Sequence, residues 1–304
     1  MIIVQDLEKI NAVSRMQKHI ISNIDAEITM LDLSHIAGYS LWHSARIFKE
    51  LLGKTPFEYI RALRLTNAAK ELRDSDTKVI DVALNGGFDS HDGFTRAFLK
   101  QFDITPKNYR REKPPVSYFT YYPIRDYYLY AKINEGKEMK NEISRTVTVQ
   151  SVIRPKRKLI LLRSKNATDY FSFCEEKGCD WEGLLNSVQE KFDNAAILEL
   201  PKTLIKNGTS ACAAGVEVPY DYDKSLPDGY EMFDLEACTM LYFSGMPFEN
   251  DEDFGKAIGV VFEAIESYKP ELYGYAFTDN IAPKFNFGAT GKIGAKMAVP
   301  VISL

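Results

Sequence analysis

The chain has 304 residues, 45% of them hydrophobic and 26% charged, with a net charge of −4. That size and balance point to two soluble domains with real cores, and exclude a peptide, a disordered chain or a miniprotein held by staples. No run approaches the roughly 20 apolar residues that span a bilayer. The start of the chain, with Asp6 and Glu8 in an amphipathic pattern, lacks the layout of a signal peptide, so a cytoplasmic protein with no membrane partner is expected.

Charge and histidine are divided unevenly. Residues 1–113 carry 17 Lys+Arg against 15 Asp+Glu, the remainder 21 against 27, and His19, His35, His43 and His91 all fall in the first third. The N-terminal third is the candidate for a polyanion, and the histidine-free remainder lacks the commonest general base. Cys174, Cys179, Cys212 and Cys238 form no Cys-x-x-Cys pair, so free thiols are expected and a metal or cofactor site is not.

Sliding the chain against itself by 50 residues aligns Ser40 with Ser90, Arg46 with Arg96, Phe48 with Phe98, Thr55 with Thr105, Pro56 with Pro106, Tyr59 with Tyr109 and Arg61 with Arg111. Each copy reads as a short helix, a glycine turn and a second helix. These are Asp32 to Ala37 then Leu41 to Leu52, and Val79 to Leu84 then Ser90 to Phe102. Leu33, Ile36 and Ala37, matched by Val79, Val82 and Ala83, supply the inward faces, while Ser40 and Ser90 stand where a hydroxyl caps the next helix. Between the copies Pro56 to Arg73 reads as one long helix, with Phe57, Ile60, Leu63, Leu65, Ala68, Ala69 and Leu72 as its apolar positions. Thr105-Pro106 opens a last helix. Two such units on a stiff spacer suit DNA: a helix fits the major groove, and two grooves on one face lie about one turn, or ~10 bp, apart.

The segments Gly38 to Lys49 and Gly87 to Phe98, with the closing Thr105-Pro106-Lys107-Asn108-Tyr109-Arg110-Arg111, resemble the DNA-binding domain of AraC/XylS transcription regulators over about residues 8–111. The resemblance implies an all-α double helix-turn-helix domain over 1–113 that binds double-stranded promoter DNA. It places base and phosphate contacts on Ser40, Trp42, Ser44, Ala45, Arg46 and Lys49 of the first unit and on Ser90, His91, Asp92, Gly93, Thr95 and Arg96 of the second. Similar members carry glutamine at the positions of Ala45, His91 and Asp92. Here Ala45 offers only apolar contact, Gly93 offers none, and Asp92 repels phosphate unless it accepts from cytosine, so a different promoter sequence is expected. From the residues alone, Arg46 is a salt-bridge partner, a guanine reader or a backbone contact, and Trp42 is half-buried packing or a DNA contact. Phe48, Phe94 and Phe98 have core spacing.

Residues 114–144 read as a tyrosine-rich connector packed on one domain, with a polar helix-friendly stretch from Asn134 to Asn141. From residue 145 the periodicity turns to strands, at Thr146 to Val152, Lys158 to Leu162, Ala211 to Val218, Tyr230 to Leu235, Thr239 to Phe243, Tyr273 to Phe277 and Lys296 to Ile302. Helices are expected at Asp180 to Phe192 and Asp251 to Tyr268. This α+β pattern, a duplicated strand-helix-strand-strand order over 145–304, resembles the GyrI-like effector-binding domain. The whole order resembles right-origin-binding-protein-like regulators. The resemblance implies a pocket with aromatic walls and a buried acid, for which Phe171, Phe173, Trp181, Glu182, Glu217, Tyr230, Tyr242, Phe285, Asn286 and Met297 are the candidates. Asn286 stands where the family's acid does.

Gly288 to Gly294 lacks phosphate-loop spacing and reads as a flexible turn. The chain is therefore expected to be a multidomain, non-enzymatic transcription activator with a small-molecule effector, RNA polymerase as partner, and no catalytic or metal residues. The alternatives for 145–304 are a protein-interaction or sequestration module, and a xenobiotic hydrolase using Glu217 or Glu182.

Overall fold

The computed structural model describes residues 2–125, 144–249 and 253–304, and divides them into two compact units. The expected stretch from Asn134 to Asn141, with Tyr127, Tyr128 and Tyr130, lies outside the described residues. Unit 1 takes the chain up to Pro114 and again from Phe119; unit 2 takes Pro115–Tyr118 and the chain from residue 144 to Leu304. Among the described residues no helix is long and apolar enough to cross a membrane.

Unit 1 contains α1 (Ile2–Ser22), α2 (Met30–Ala37), α3 (Leu41–Leu52), α4 (Pro56–Asp74), α5 (Val79–Asn85), α6 (His91–Phe102) and α7 (Pro106–Glu112). The first helix was not foreseen, although Ile10, Val13, Met16, Gln17 and Ile20 recur at helical spacing and are all buried. Ser40 and Ser90 cap their helices as the sequence suggests, and two threonines add caps beyond that expectation. Thr29 and Thr55 form capping boxes with Asp32 and Glu58, Ser40 accepts from the His43 N–H, and Ser90 from that of Gly93. Apolar side chains of α1 to α4 make one core around Met16, Leu33, Ile47, Phe48, Tyr59 and Ile60. In the second copy Phe98 is the hub of an aromatic cluster, meeting Phe94, Phe102 and Tyr109 in tilted or edge-on contacts with centroids 4.6–5.7 Å apart. Phe57 is exposed, because Pro56, Tyr59 and Ile60 take the inward positions of the first turn of α4.

The spacer α4 ties the copies together. Arg64 donates to the Ile24 and Ala26 carbonyls at the entry to the first copy (2.9 and 2.5 Å), and Gln101 of α6 donates to the Ala62 carbonyl at 3.2 Å. The pinned guanidinium of Arg64 also lies against the turn of the second copy: a Cβ on Gly87 (φ 71°) would stand 2.9 Å from its Nη1. Gly38, the turn glycine of the first copy (φ 77°), has open space around it. Alanine at either position pays left-handed strain of about 1–3 kcal/mol. Gly87→Ala is therefore expected to lower the urea midpoint by clearly more than Gly38→Ala, since it must also dislodge Arg64; equal losses would contradict the wedge.

Part of the expected connector belongs to unit 1. The buried Gln17 amide donates to the Tyr59 hydroxyl (3.1 Å) and the Tyr122 carbonyl (2.9 Å) and accepts from the Ile124 N–H (3.1 Å), while Phe119 packs edge-on against Tyr59.

Unit 2 contains β1 (Val147–Arg154), β2 (Arg157–Arg163), α8 (Tyr170–Lys177), α9 (Asp180–Ser187), β3 (Ala196–Glu199), β4 (Cys212–Pro219), β5 (Tyr230–Leu235), β6 (Cys238–Gly245), α10 (Phe254–Ser267), β7 (Tyr275–Phe277), β8 (Lys284–Thr290) and β9 (Gly294–Ser303). The sequence reading missed α8, β3 and β8 and ran α9 five residues too far. The Gly288 to Gly294 segment is the end of β8, a tight turn and the start of β9, a hairpin and not a loose turn. All pairings are antiparallel, in the order β1-β6-β9-β8-β3-β4-β2-β5 with β7 added on β9. From either end the path runs through an edge strand, then the first, third and second strands of a strand-helix-strand-strand unit.

Connection lengths force this sheet to curl. β1 and β2 lie six places apart yet are joined by Pro155 and Lys156 alone, and β5 and β6, also six apart, by Glu236 and Ala237. Six strand spacings of ~4.8 Å make roughly 29 Å on a flat sheet, against at most ~11 Å across such a link. Rolled up, the sheet encloses a core of Leu159, Leu161, Leu198, Ala213, Met240, Tyr242, Phe285 and Ala298, with Val152 of β1 against it. Its other face carries α8 and α9 over one apolar cluster and α10 over another.

Candidate nucleic-acid interface

Helices α3 and α6 have the same length and the same two-faced build. Ser44, Ile47 and Phe48 of α3 and Phe94, Phe98 and Phe102 of α6 face the core. Turned outward are Leu41, Trp42, Arg46 and Lys49 on α3, and His91, Asp92, Arg96 and Lys100 on α6. Trp42 is 71% exposed, which settles the choice left open by its apolar neighbours: it is not packing. The Arg46 guanidinium lies 5.0 Å from the Trp42 ring and 3.6 Å from Glu50. An exposed i,i+4 pair is worth only about 0.3–0.5 kcal/mol, so the contact with Glu50 holds Arg46 weakly.

The other anticipated contacts divide. Ser44 is a correction: it is fully buried, its Oγ without a hydrogen-bond partner, because it lies three and four residues before Ile47 and Phe48 on the core stripe. The spacing itself would have shown this. Ser40 and Ser90 act as caps at the exposed entries of the two helices, where the free N–H ends of a helix favour an anion. Ala45 and Thr95 occupy equivalent half-buried positions, and the Thr95 hydroxyl is turned in without a partner. Gly93 is held close: a Cβ there would stand 3.0 Å from the Ser90 Oγ that accepts its N–H. His91 and Asp92 are exposed and 3.7 Å apart.

The anticipated effector residues of unit 2 are spread over three cores. Phe173, Trp181 and Tyr230 pack under α8 and α9, Tyr242 and Phe285 lie inside the rolled sheet, and Met297 lies under α10. Phe171 and Glu182 are half-buried, and the Asn286 amide oxygen accepts from the Gly288 N–H at 2.9 Å. Glu217 is buried and neutralised: Arg157 Nε donates to Oε1 at 2.6 Å and Arg154 Nε stands 3.4 Å from Oε2. Burial pushes this carboxyl above the ordinary range, and the two guanidiniums work against that rise.

Sequence reasoning missed the rest of this polar group. Arg154 bonds to Asp193 and to the Tyr242 hydroxyl, and Lys296 Nζ sits 2.7 Å from Asp193 and 4.8 Å from the Tyr242 centroid. Strand parity could have flagged Arg157, which shares the inward phase of Leu159 and Leu161.

Two outward recognition faces on one strut define a double helix-turn-helix DNA-binding domain. A family model described as a helix-turn-helix domain matches residues 33–112. The chain is 44% identical over 91 residues to the Transposon Tn10 TetD protein of Escherichia coli (30% of this chain, 66% of that one). It is 44% identical over 89 residues to the right origin-binding protein of Escherichia coli K12 (29% and 31%). It is 34% identical over 88 residues to the multiple antibiotic resistance protein MarA of Salmonella typhimurium (29% and 69%). The chain thus spans just under two thirds of TetD and under one third of the right origin-binding protein. It belongs to the AraC family of helix-turn-helix transcription regulators.

Proposed function

We propose that this protein is a transcription activator that reads promoter DNA as a single chain, with α3 and α6 entering successive major-groove segments. In this reading residues 1–113 are the DNA-binding domain, 114–144 the connector, and 145–304 a GyrI-like domain that senses a small molecule, with RNA polymerase as the partner in activation. The observation that carries the DNA reading is the outward face of α3. A tryptophan 71% exposed beside an arginine held only by exposed contacts to Trp42, His43 and Glu50 is a poor surface for a free protein and a good one for a groove.

The test uses the full chain as Trp181→Phe, which leaves Trp42 as the only indole of the two. Promoter-length duplex should change Trp42 emission, and if six or more phosphates are neutralised the affinity should fall by roughly 10³ or more between 50 and 200 mM salt. Unchanged emission with saltproof or absent binding would refute the reading.

A second reading of unit 2, a protein-interaction module, is favoured by one observation: the anticipated pocket side chains are spent on packing in three separate cores. The hydrolase reading gains no support from Glu217, whose carboxylate is engaged by Arg157.

A further inference from the structure

Arg64 sits midway along the strut α4 and touches both copies. Its Nε donates to the Ile24 carbonyl at 2.9 Å and its Nη2 to the Ala26 carbonyl at 2.5 Å, both in the turn between α1 and α2. Its third nitrogen, Nη1, lies against Gly87 in the turn between α5 and α6, where a Cβ would stand 2.9 Å from it and 3.4 Å from the guanidinium carbon. The missing side chain of Gly87, at φ 71°, is what lets the two come so close. The repeat does not duplicate this arginine: at the 50-residue offset it meets Pro114. A side chain present once, between two copies and against both, bears on how they are held relative to each other.

The second copy is fixed on α4 by hydrogen bonds. Gln101, on the back of the recognition helix α6, donates to the Ala62 carbonyl at 3.2 Å, and Arg110 of α7 donates to the Asp76 carbonyl just beyond α4 at 2.7 Å. The first copy takes Tyr59, Ile60 and Leu63 of α4 into its core, and Gln17 of α1 bonds the Tyr59 hydroxyl at 3.1 Å. Those contacts fall within the first ~two turns of α4, and apolar attraction has no preferred direction, so they hold the strut in place better than they hold its angle. Arg64 adds a bond to a different part of the first copy, the turn before α2. A planar guanidinium with two donors on two carbonyls fixes an angle as well as a distance. Recognition helix α6 is thus set on the strut, and the strut is set on the first copy.

We propose that Arg64 is a positioning residue for DNA reading: it fixes the angle between the two copies and thereby the spacing of the two base blocks that α3 and α6 accept. That role rests on the groove reading of those helices. One added base pair moves the second block by ~3.4 Å and turns it by ~35° about the duplex axis, a displacement that a clamped pair of helices cannot follow. With the clamp released, the copies can rock on α4 and follow it.

The experiment selects bound fragments from random duplexes with the full-length parent, Arg64→Ala, Gly87→Ala and Arg61→Ala, and measures the gap between the two recovered blocks. The parent should return one gap, and a change of one base pair should cost it on the order of 10-fold or more in gel-shift affinity. Arg64→Ala should return the same two blocks with gaps spread over about three neighbouring lengths. Gly87→Ala keeps Arg64 but presses on it from the second copy, and should also shift or widen the gap. Arg61, exposed three residues earlier on α4, controls for the lost charge, and its alanine variant should keep the single gap of the parent. An unchanged single gap in Arg64→Ala, or in Gly87→Ala should the former not fold, overturns the proposal and leaves the groove reading standing. So does equal widening in Arg61→Ala, or an affinity loss in Arg64→Ala by the same factor at every gap, which marks a phosphate contact or lost stability. A parent that returns one block, or no constant gap, removes the groove reading and the role of Arg64 with it.

Discussion

Arg157→Met is expected to cost unit 2 about 3–5 kcal/mol, the ordinary result of stranding one partner of a buried ion pair. Arg157 is fully buried on β2 and does three things at the seam where the rolled sheet closes. It binds Glu217 at 2.6 Å, donates to the Glu236 carbonyl in the β5–β6 link at 2.9 Å, and lies 3.3 Å from the Cys238 sulfur at the start of β6. Methionine fills much of the volume but takes the direct hydrogen bond from Glu217, leaving Arg154 alone to offset its burial, and leaves the link carbonyl without its donor. The double variant Arg157→Met with Glu217→Leu removes the stranded charge and should recover a large part of the loss, because a buried pair is worth little more than a hydrophobic isostere. Urea unfolding followed by Trp181 emission, in a Trp42→Phe background, measures both. A single variant within about 1 kcal/mol of the parent would show that Arg157 does not hold the seam.

Arg46→Ala should lower affinity for the preferred DNA by about 1–3 kcal/mol, roughly 5- to 150-fold, and relax specificity at one base pair, while leaving folding stability within about 0.5 kcal/mol. Both parts follow from its position: the side chain is exposed, and the pair with Glu50 that it gives up is weak. Lys49→Ala should behave differently. Its ammonium is exposed on the same face of α3, so its loss should weaken binding to all sequences alike and reduce the salt slope by about 1. Ser44→Ala serves as the internal control. A buried hydroxyl without a partner contributes nothing at a groove, so affinity should not change and stability should hold or rise. Gel-shift titrations on the selected site and on a scrambled duplex separate the three.

How far the sequence could be read depended on how local the cause was. The 50-residue repeat, the caps at Ser40 and Ser90, the helix starts at Pro56 and Pro106, and the helix limits from Leu41 to Leu52 are set by neighbours in the chain and are legible there. Ser44 departs from the position the family pattern implies because α3 has an inner face, and Ser44 shares it with Ile47 and Phe48. In unit 2 the alternation showed most of the strands. β3, four residues long, and β8, broken by glycine, lack the pattern, and both exist because their neighbours in the sheet hold them. The Arg157–Glu217 seam, 60 residues apart in the chain, depends on how the sheet rolls, which no local pattern carries.

The claim on which the functional account rests is that α3 and α6 read two groove segments from one chain. Selection of bound fragments from random duplexes by the full-length protein tests it directly. Two blocks of fixed bases, with centres about one helical turn or ~10 bp apart and no required palindrome, are the predicted outcome. A single block, or two blocks at no constant spacing, would contradict it.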